Sequence, residues 1–305
     1  MFDRSLISDV AKSVVGRRRE LEAVVAALAA GRHLLLEGPP GTGKSTLLHA
    51  IAERTGAGFE FVEGNAELTP SRLVGTFDPA AVLEAGYSPD VFIDGPLVTA
   101  LRDGSMLYVE EINRVPEETL NVLISVMSEG ELHVPRLGHV AAADGFRLVA
   151  AMNPFDAVGT ARIAAAVYDR CCRLAMGYQD AGEEMLIVGA EAPDATATVG
   201  PGFVAQAVDM VRATRDHPDL RGGSSVRGAI DFVMVAHRLA DLRAVGTTDP
   251  GVTFDAAMLA LSGRVRVREG SGRSGEDVVE ELWRRFFAPD IEADPAAEGD
   301  RDPKA

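Results

Sequence analysis

The sequence predicts an α/β fold in which a parallel β-sheet lies between helices and is followed by a smaller all-α domain. Over residues 33–177, short apolar runs alternate with segments of helical spacing, which is the pattern of successive strand–helix units. Over residues 178–287 the pattern is mainly helical. A chain of 305 residues is long enough to bury the cores of two such domains.

Composition and charge narrow the classes of function. The 47% of hydrophobic and 25% of charged residues are typical of globular domains, and no apolar run is long enough to span a membrane, so no membrane association is expected. The first ten residues lack the apolar core of a secretory signal, which favours a cytoplasmic location. Cys171 and Cys172 are adjacent and provide neither a disulfide framework nor metal-ligand spacing. The net charge of −16 makes nucleic acid an unfavourable partner, because phosphates carry the same sign.

The first elements are a helix and a buried strand. Leu21, Val24, Val25 and Leu28 recur at the spacing of one helical face, which predicts an amphipathic helix within the first 30 residues. The apolar run at residues 33–37 then predicts a buried strand that leads directly into a glycine-rich loop.

That loop, residues 38–45, reads GPPGTGKS and fits the pattern G-x-x-x-x-G-K-[ST], with a helix predicted to begin at about Gly43. Glycines let such a loop fold around phosphates with its backbone N–H groups pointing inward, and the helix N-terminus adds partial positive charge. Lys44 is expected to reach the β- and γ-phosphates, and Ser45 to offer its hydroxyl to Mg²⁺. The loop therefore predicts a site for ATP with Mg²⁺.

A pair of carboxylates follows the next predicted strand, residues 106–109. A carboxylate at the end of the strand beside the loop can hold Mg²⁺ directly or through water, which makes Glu110 the predicted metal-side residue. The next carboxylate, Glu111, can orient and deprotonate the attacking water as a general base. The alternative is a solvated acidic turn before a helix, where Glu is favoured by the helix dipole.

A third predicted strand, residues 146–152, ends in Asn153 and Pro154. The amide of Asn153 is placed to position the water or to contact the γ-phosphate, and a simple Asn-Pro turn explains the pair equally well. From the residues alone both interpretations stay open.

Two further segments are less regular. Residues 63–95 show few helix signals and several turn residues, over a length that is unusual for a loop in a compact domain. Residues 130–145 predict a hairpin before the third strand, on which His133 and His139 are expected to be solvated rather than to bind a ligand.

The predicted domains are residues 1–178 for the α/β part and residues 179–287 for the helical lid. Ser274 and Asp277 form a plausible capping box for the last helix of the lid. Residues 288–305 are rich in Pro, Ala and acidic side chains, and we expect this tail to be disordered.

In their order along the chain, these motifs resemble those of AAA+ ATPases, and more narrowly those of the MoxR branch. The loop GPPGTGKS is similar to the family's P-loop, and EEINR at residues 110–114 resembles the branch's D-E-I-N-R. VVGR at residues 14–17 resembles the segment that packs on adenine, and Asn153 falls where the family has sensor 1. The resemblance thus implies a nucleotide-binding set of Val15, Gly16, Gly38, Pro39, Pro40, Gly41, Thr42, Gly43, Lys44, Ser45 and Thr46.

Two arginines gain their predicted roles from the same resemblance. Tyr168-Asp169-Arg170 resembles the L-D-R segment, whose arginine finger enters a neighbouring subunit, and Arg173 is a rival for that role. An ion pair with Asp169 within the chain is the alternative for Arg170. GSSVR at residues 223–227 resembles the branch's G-A-S-P-R, which makes Arg227 the predicted sensor 2, with an exposed lid residue as the alternative. The implied catalytic residues are Lys44, Glu111, Asn153, Arg170 and Arg227.

The chain departs from the family pattern at two positions. Glu110 stands where the family has Asp, and its extra methylene can move the carboxylate into the water shell of Mg²⁺ and slow hydrolysis. Val226 replaces a proline, which is compatible with a helix start.

Three functions are compatible with these features. The resemblance implies a homo-oligomeric, hexameric ring that hydrolyses ATP to remodel or activate a protein partner, one with a von Willebrand factor A domain. A nucleotide-gated assembly factor with very slow hydrolysis is the second possibility, and Glu110 favours it. A DNA-acting AAA+ motor is the third, and both the acidic balance and the absence of a recognisable DNA-binding module oppose it.

Overall fold

The structure is a computed structural model that describes residues 4–154 and 165–288. The chain divides into two compact units, residues 1–178 and residues 179–305. The predicted disorder of residues 288–305 concerns a segment that lies, except for Ala288, outside the described residues.

The bounds of the elements are as follows. The helices are α1 (Arg4–Val10), α2 (Arg18–Ala29), α3 (Lys44–Thr55), α4 (Pro70–Val74), α5 (Pro79–Ala85), α6 (Pro96–Asp103), α7 (Glu117–Glu129), α8 (Ala165–Arg170), α9 (Ala181–Glu191), α10 (Pro193–Val199), α11 (Pro201–Asp216), α12 (Val226–Arg243), α13 (Pro250–Leu261) and α14 (Gly275–Phe287). The strands are β1 (His33–Glu37), β2 (Phe59–Glu63), β3 (Gly75–Phe77), β4 (Phe92–Asp94), β5 (Met106–Glu110), β6 (Glu131–Val134), β7 (Gly138–Ala141), β8 (Arg147–Met152), β9 (Cys171–Ala175), β10 (Leu220–Gly222) and β11 (Arg266–Val267).

The first unit is built on a five-stranded sheet in the order β2-β5-β8-β1-β9, and every neighbouring pair is parallel. Alternate side chains of β1 enter different cores: Leu34 and Leu36 pack with α2 and α3, whereas Leu35 packs with α6 and α7. A parallel strand buried on both faces has to be apolar throughout, which explains the unbroken apolar run of β1. The predicted parallel sheet between helices is confirmed.

The amphipathic N-terminal helix is confirmed as α2. Its four predicted core residues, Leu21, Val24, Val25 and Leu28, are all at most 4% exposed. Helix α3 begins at Lys44 with Gly43 as its N-cap, one residue from the predicted start.

Residues 63–95 were expected to form an irregular segment with few helices. The structure instead shows α4, β3, α5 and β4 there. Helices α4 and α5 begin with the same device: Thr69 and Asp78 accept backbone N–H bonds as N-caps, and Pro70 and Pro79 follow at the first helical position. Proline is favoured there because its missing N–H would be unsatisfied in any case. Strands β3 and β4 pair as an antiparallel hairpin.

The predicted hairpin at residues 130–145 is confirmed. Strands β6 and β7 pair antiparallel, with His133 directly opposite His139. His139 is exposed and lies 3.5 Å from the carboxylate of Glu131, the geometry of a surface contact.

The second unit contains α9 to α14 around its own core, which confirms a helical C-terminal region. The structure adds one feature to the all-helical expectation, a short antiparallel ladder of β10 and β11. The capping box at Ser274 is confirmed, with the side chains of Ser274 and Asp277 each accepting the other's backbone N–H.

Candidate nucleotide-binding site

The glycine-rich loop leaves the carboxyl end of β1, which lies between β8 and β9 in the sheet. Gly38 has to be glycine, because a Cβ there would lie 2.1 Å from the carbonyl oxygen of Met176. Gly43 has φ +82, a left-handed conformation that glycine adopts without strain. Since ligands of open α/β sheets bind outside the carboxyl ends of the strands, the loop lies where a nucleotide is expected.

Lys44 closes the loop on itself. Its ammonium donates to the carbonyl oxygens of Gly38 at 2.8 Å and Pro39 at 2.9 Å, and the side chain is buried. The hydroxyl of Thr42 also donates to Pro39 O, at 3.0 Å. Phosphate oxygens are stronger acceptors than neutral carbonyls, so an anion entering the loop can draw the ammonium to itself.

Arg17 supports the loop from the N-terminal segment, and sequence reasoning did not assign it this role. Its guanidinium donates to the carbonyl oxygens of Thr42 at 2.9 Å and Gly177 at 2.5 Å, and to Glu20 at 2.7 Å. Arg17 is 4% exposed, so these hydrogen bonds form away from water, where the low dielectric makes them stronger. The segment with Val15 and Gly16 is thereby joined to the loop.

The two predicted metal residues are brought together. The hydroxyl of Ser45 donates to Oε1 of Glu110 at 3.1 Å, although the residues are 65 positions apart. Mg²⁺ keeps most of its waters and takes one or two protein ligands besides phosphate oxygens, so one hydroxyl and one carboxylate fit it. The described residues hold no group of three or more His, Cys, Asp or Glu that would suit a different kind of metal site.

A third oxygen belongs to this cluster and was missed. The phenol of Tyr108 lies 3.1 Å from Ser45 Oγ. Burial in the sheet is the main cause that raises the pKa of Tyr108, so the phenol stays protonated. The signal was present in the sequence, since side chains two apart on a strand share a face and Tyr108 is two residues before Glu110.

Glu111 follows β5 directly in an unusual conformation. Its φ of 52° and ψ of 42° are left-handed, which costs energy for a residue with a Cβ. Such strain is concentrated at functional sites. Its carboxylate forms an ion pair with Arg114 at 2.9 Å, with both side chains partly exposed.

Asn153 lies at the same edge of the sheet. It follows β8, which lies between β5 and β1, and the N–H of Gly38 donates to the carbonyl oxygen of Met152 at 3.1 Å. Asn153 is therefore next to the start of the loop in strand register, as a residue that positions water would be.

The remaining members of the predicted nucleotide set differ in exposure. Pro40, Thr46 and Gly16 are exposed, and Val15, Pro39 and Gly41 are half-buried.

Arg170 ends α8 and contacts α7 within its own chain. Its Nε donates to Ser128 Oγ at 2.5 Å and its Nη1 to Ala166 O at 3.0 Å. Nη1 also lies 3.7 Å from a carboxylate oxygen of Asp169, so the intrachain ion pair considered for it is present but long.

Arg173, the rival finger, contacts Glu37 at the end of β1. Its Nε donates to Oε2 of Glu37 at 2.5 Å, and Tyr168 donates to Oε1 of the same carboxylate at 2.8 Å. Glu37 is 3% exposed and directly precedes the loop, and Arg173 and Tyr168 supply the hydrogen bonds that its buried carboxylate needs. Both arginines thus form contacts within their own chain, and the side chain of Arg173 is 55% exposed against 32% for Arg170.

Arg227 belongs to the second unit and is exposed in the first turn of α12. The segment before it is held firmly: Ser224 N donates to Thr214 Oγ1 at 2.8 Å, and Arg215 Nε donates to Ser224 O at 2.8 Å. A Cβ on Gly223 would lie 2.5 Å from the backbone of Thr214.

None of the helices that the structure describes is long and apolar enough to cross a membrane.

Two families match parts of the chain. Residues 33–171 match the family described as AAA domain (dynein-related subfamily), a span that runs from the start of β1 to the first residue of β9. Residues 10–55 match the family described as magnesium chelatase, subunit ChlI.

Relatives by sequence include bacterial proteins of similar length. The chain is 29% identical to YeaC of Bacillus subtilis, over 77% of each chain. It is 34% identical to the protein SH1500 of Staphylococcus haemolyticus over 151 residues, which is 49% of this chain and 57% of that protein.

Two solved structures show a similar fold. A protein of Cytophaga hutchinsonii, described as a candidate ATPase, matches with a TM-score of 0.51 at 21% identity, over 92% of this chain and 93% of that one. RuvB of Thermotoga maritima, described as a Holliday junction branch migration motor, matches with a TM-score of 0.54 at 17% identity, over 93% of this chain and 73% of that one. At these identities the likeness concerns the fold, which is that of a P-loop NTPase.

Proposed function

We propose that this chain, which contains an AAA domain on a P-loop NTPase fold, is a Mg²⁺-dependent ATPase that works as a ring of identical subunits. We propose further that it remodels or activates a protein partner. The observation that supports this best is the cluster at the carboxyl edge of the sheet, where Lys44 closes the loop and Ser45 contacts Glu110.

Each residue has a part in the proposed reaction. Lys44 and the loop N–H groups neutralise the phosphates, and Ser45 with Glu110 would hold Mg²⁺, which neutralises charge that develops on the phosphates when it is bound. Glu111 removes the proton of the attacking water, which Asn153 helps to position.

The two arginines act last. Arg170 of one subunit enters the site of the next, and fingers of this kind contribute about 10³–10⁵ in rate in related NTPases. Arg227 transmits the loss of the γ-phosphate to the helical unit, a change of the kind that drives nucleotide switches.

The partner is proposed to be a protein rather than a nucleic acid. The net charge of −16 opposes binding to a phosphate backbone, and the likeness to RuvB extends only to the fold. The narrower assignments remain predictions of the sequence resemblance: the MoxR branch, the hexamer, and a partner with a von Willebrand factor A domain.

In a second candidate function, the chain binds ATP at the same site but hydrolyses it very slowly. The longer side chain of Glu110 accepts a hydrogen bond from the hydroxyl of Ser45. If that contact persists beside the metal, the chain binds ATP tightly and serves as a nucleotide-gated assembly factor.

The testing experiment measures ATP binding and steady-state hydrolysis, with and without Mg²⁺, over a range of protein concentrations. Lys44→Ala should weaken ATP binding about 10- to 100-fold, the range for losing a charged hydrogen bond. Lys12→Ala removes an exposed lysine elsewhere and is the matched control.

The outcomes separate the two candidates. Activity per subunit that rises with concentration supports the ring ATPase, whereas tight binding with negligible turnover at every concentration supports the assembly factor. Equal ATP affinity in Lys44→Ala and the wild type would reject both.

A further inference from the structure

Tyr108 is a buried phenol whose hydroxyl points at the proposed metal site. The residue is 0% exposed in the middle of β5, and its ring lies 6.0 Å from that of Phe59 and 5.7 Å from that of Phe61, between centroids. A buried phenol needs a polar partner, and here the partner is Ser45 Oγ at 3.1 Å.

The direction of this hydrogen bond follows from proton counting. Ser45 has one hydroxyl proton and donates it to Oε1 of Glu110. At the Tyr108 contact the serine oxygen must therefore accept and the phenol donate. A hydroxyl oxygen has two lone pairs, so one of them stays available to a cation.

Two hydrogen bonds then fix a side chain that would otherwise rotate. A serine hydroxyl has three staggered positions, and only some of them direct its oxygen at a metal beside the phosphates. Fixing the ligand before the metal arrives reduces the entropy lost on binding.

We infer that Tyr108 is a positioning residue for the metal site: its hydroxyl holds Ser45 Oγ in the orientation that binds Mg²⁺ with the nucleotide. Tyr108 acts through Ser45 and touches neither the nucleotide nor the metal. This inference rests on the proposed function, because it requires that Ser45 binds Mg²⁺.

The experiment measures the affinity for a fluorescent ATP analogue in Mg²⁺ and again in EDTA. The ratio of the two affinities is the gain in nucleotide affinity that the metal provides, called the gain below. Tyr108→Phe removes the hydroxyl and keeps the ring among its aromatic neighbours. The gain should fall about three- to tenfold, as expected for one hydrogen bond, and the affinity in EDTA should not change. Tyr87→Phe, at an exposed tyrosine, is the matched control and should keep the full gain.

Variants of Ser45 test whether Tyr108 acts through it. In a Ser45→Ala background, Tyr108→Phe should cause no further loss of the gain. In a Ser45→Thr background its effect should shrink, because a β-branched side chain is already restricted at χ1.

The outcomes distinguish this inference from the proposed function. If Ser45→Ala keeps the wild-type gain, the proposed metal site is wrong and the inference fails with it. If Ser45→Ala loses the gain and Tyr108→Phe keeps it, the inference alone is overturned. A lower melting temperature of Tyr108→Phe with an unchanged gain overturns it as well, since the hydroxyl then contributes only to stability.

Discussion

His33, at the start of β1, is a residue whose surroundings change its acid–base chemistry. Its Nδ1 accepts the N–H of Leu148 at 2.9 Å, which requires that this nitrogen carry no proton. Burial, with smaller contributions from the positive charges of Arg147 and Arg32, lowers the pKa of His33 to about 4.

This shift predicts an acid sensitivity of the first unit. The unfolded chain takes up a proton at His33 below its ordinary pKa of about 6.5, whereas the folded chain does so only near pH 4. The contribution of His33 to stability is therefore fully present above pH 6.5 and is lost as the pH falls through 4. By pH 4.5 the loss should be about 2 to 3 kcal/mol.

The measurement is hydrogen exchange of the β1 and β8 amides at pH 7 and pH 4.5, corrected for intrinsic rates. His33→Gln keeps an acceptor for Leu148 and should lose less stability over this range than the wild type. His49→Gln, at an exposed histidine of α3, should behave like the wild type. If His33→Gln and the wild type lose equal stability between pH 7 and pH 4.5, His33 does not cause the acid sensitivity.

The sequence predicted some members of the candidate site and missed others for a physical reason. Lys44 and Ser45 belong to one continuous motif, and Glu110 follows an apolar strand, so local pattern was enough to identify them. Tyr108 could have been identified from its spacing to Glu110 on one strand, whereas Arg17 gains its role from partners far along the chain, such as Gly177, 160 positions away. The contacts of Arg17 exist only after the chain has folded.

Among the elements, α9 and α11 of the second unit are joined by a buried ion cluster. Glu184 is 1% exposed, and its carboxylate oxygens lie 2.7 Å from Arg215 Nη2 and 3.2 Å from Arg212 Nη1. Arg215 also holds the carbonyl oxygen of Ser224, just before the helix of Arg227. One buried carboxylate thus helps to fix the start of α12.

Removing that carboxylate should destabilise the second unit. Glu184→Ala leaves two arginines without their counter-ion and should cost about 3 kcal/mol. The chain's one tryptophan, Trp283, is buried in α14 of the same unit, so denaturation followed by its fluorescence reports on this unit. Glu191→Ala, at an exposed glutamate of α9, should stay within about 0.5 kcal/mol of the wild type. A Glu184→Ala variant as stable as this control would mean that the cluster contributes nothing net.

The elements that sequence predicted least well are those of residues 63–95. Their helices are short, with 5 and 7 residues, so periodicity has little room to show. The Thr-Pro and Asp-Pro pairs that begin them are stronger signals at this length than the apolar pattern. Hairpin β6–β7 was predicted because residues 130–134 alternate partly between polar and apolar side chains, as a strand does.

In the proposed ring, each nucleotide site is completed by a residue of the neighbouring subunit. Arg170 lies on α8, where its bonds to Ser128 and Ala166 hold it against its own chain. A finger that serves the neighbouring subunit needs such support, because a positioned guanidinium loses less entropy when it meets the phosphate. In the proposed ring, head-to-tail contacts between identical subunits would present Arg170 of one copy to the site of the next.

Mixing two inactive variants tests this arrangement directly. Glu111→Gln should retain ATP binding and lose turnover by about 10²–10⁴, because it removes the general base. Arg170→Ala should also bind ATP and turn over slowly. If the finger acts in trans, a mixed ring contains interfaces where an intact Glu111 meets an intact Arg170. In an equimolar random mixture about a quarter of the interfaces are of this kind, so about a quarter of the wild-type activity should return.

Each variant alone at the same total concentration is the control for this mixture, and a mixture of Glu111→Gln with Lys44→Ala is the second. That second mixture should stay inactive, because Lys44 and Glu111 serve the same site and every site lacks one of them. Activity that returns only when Arg170→Ala is a component would place the finger and the base on different subunits. A mixture of Glu111→Gln and Arg170→Ala no more active than its components would instead mean that Arg170 serves its own chain, since no exchange of neighbours can then repair a site.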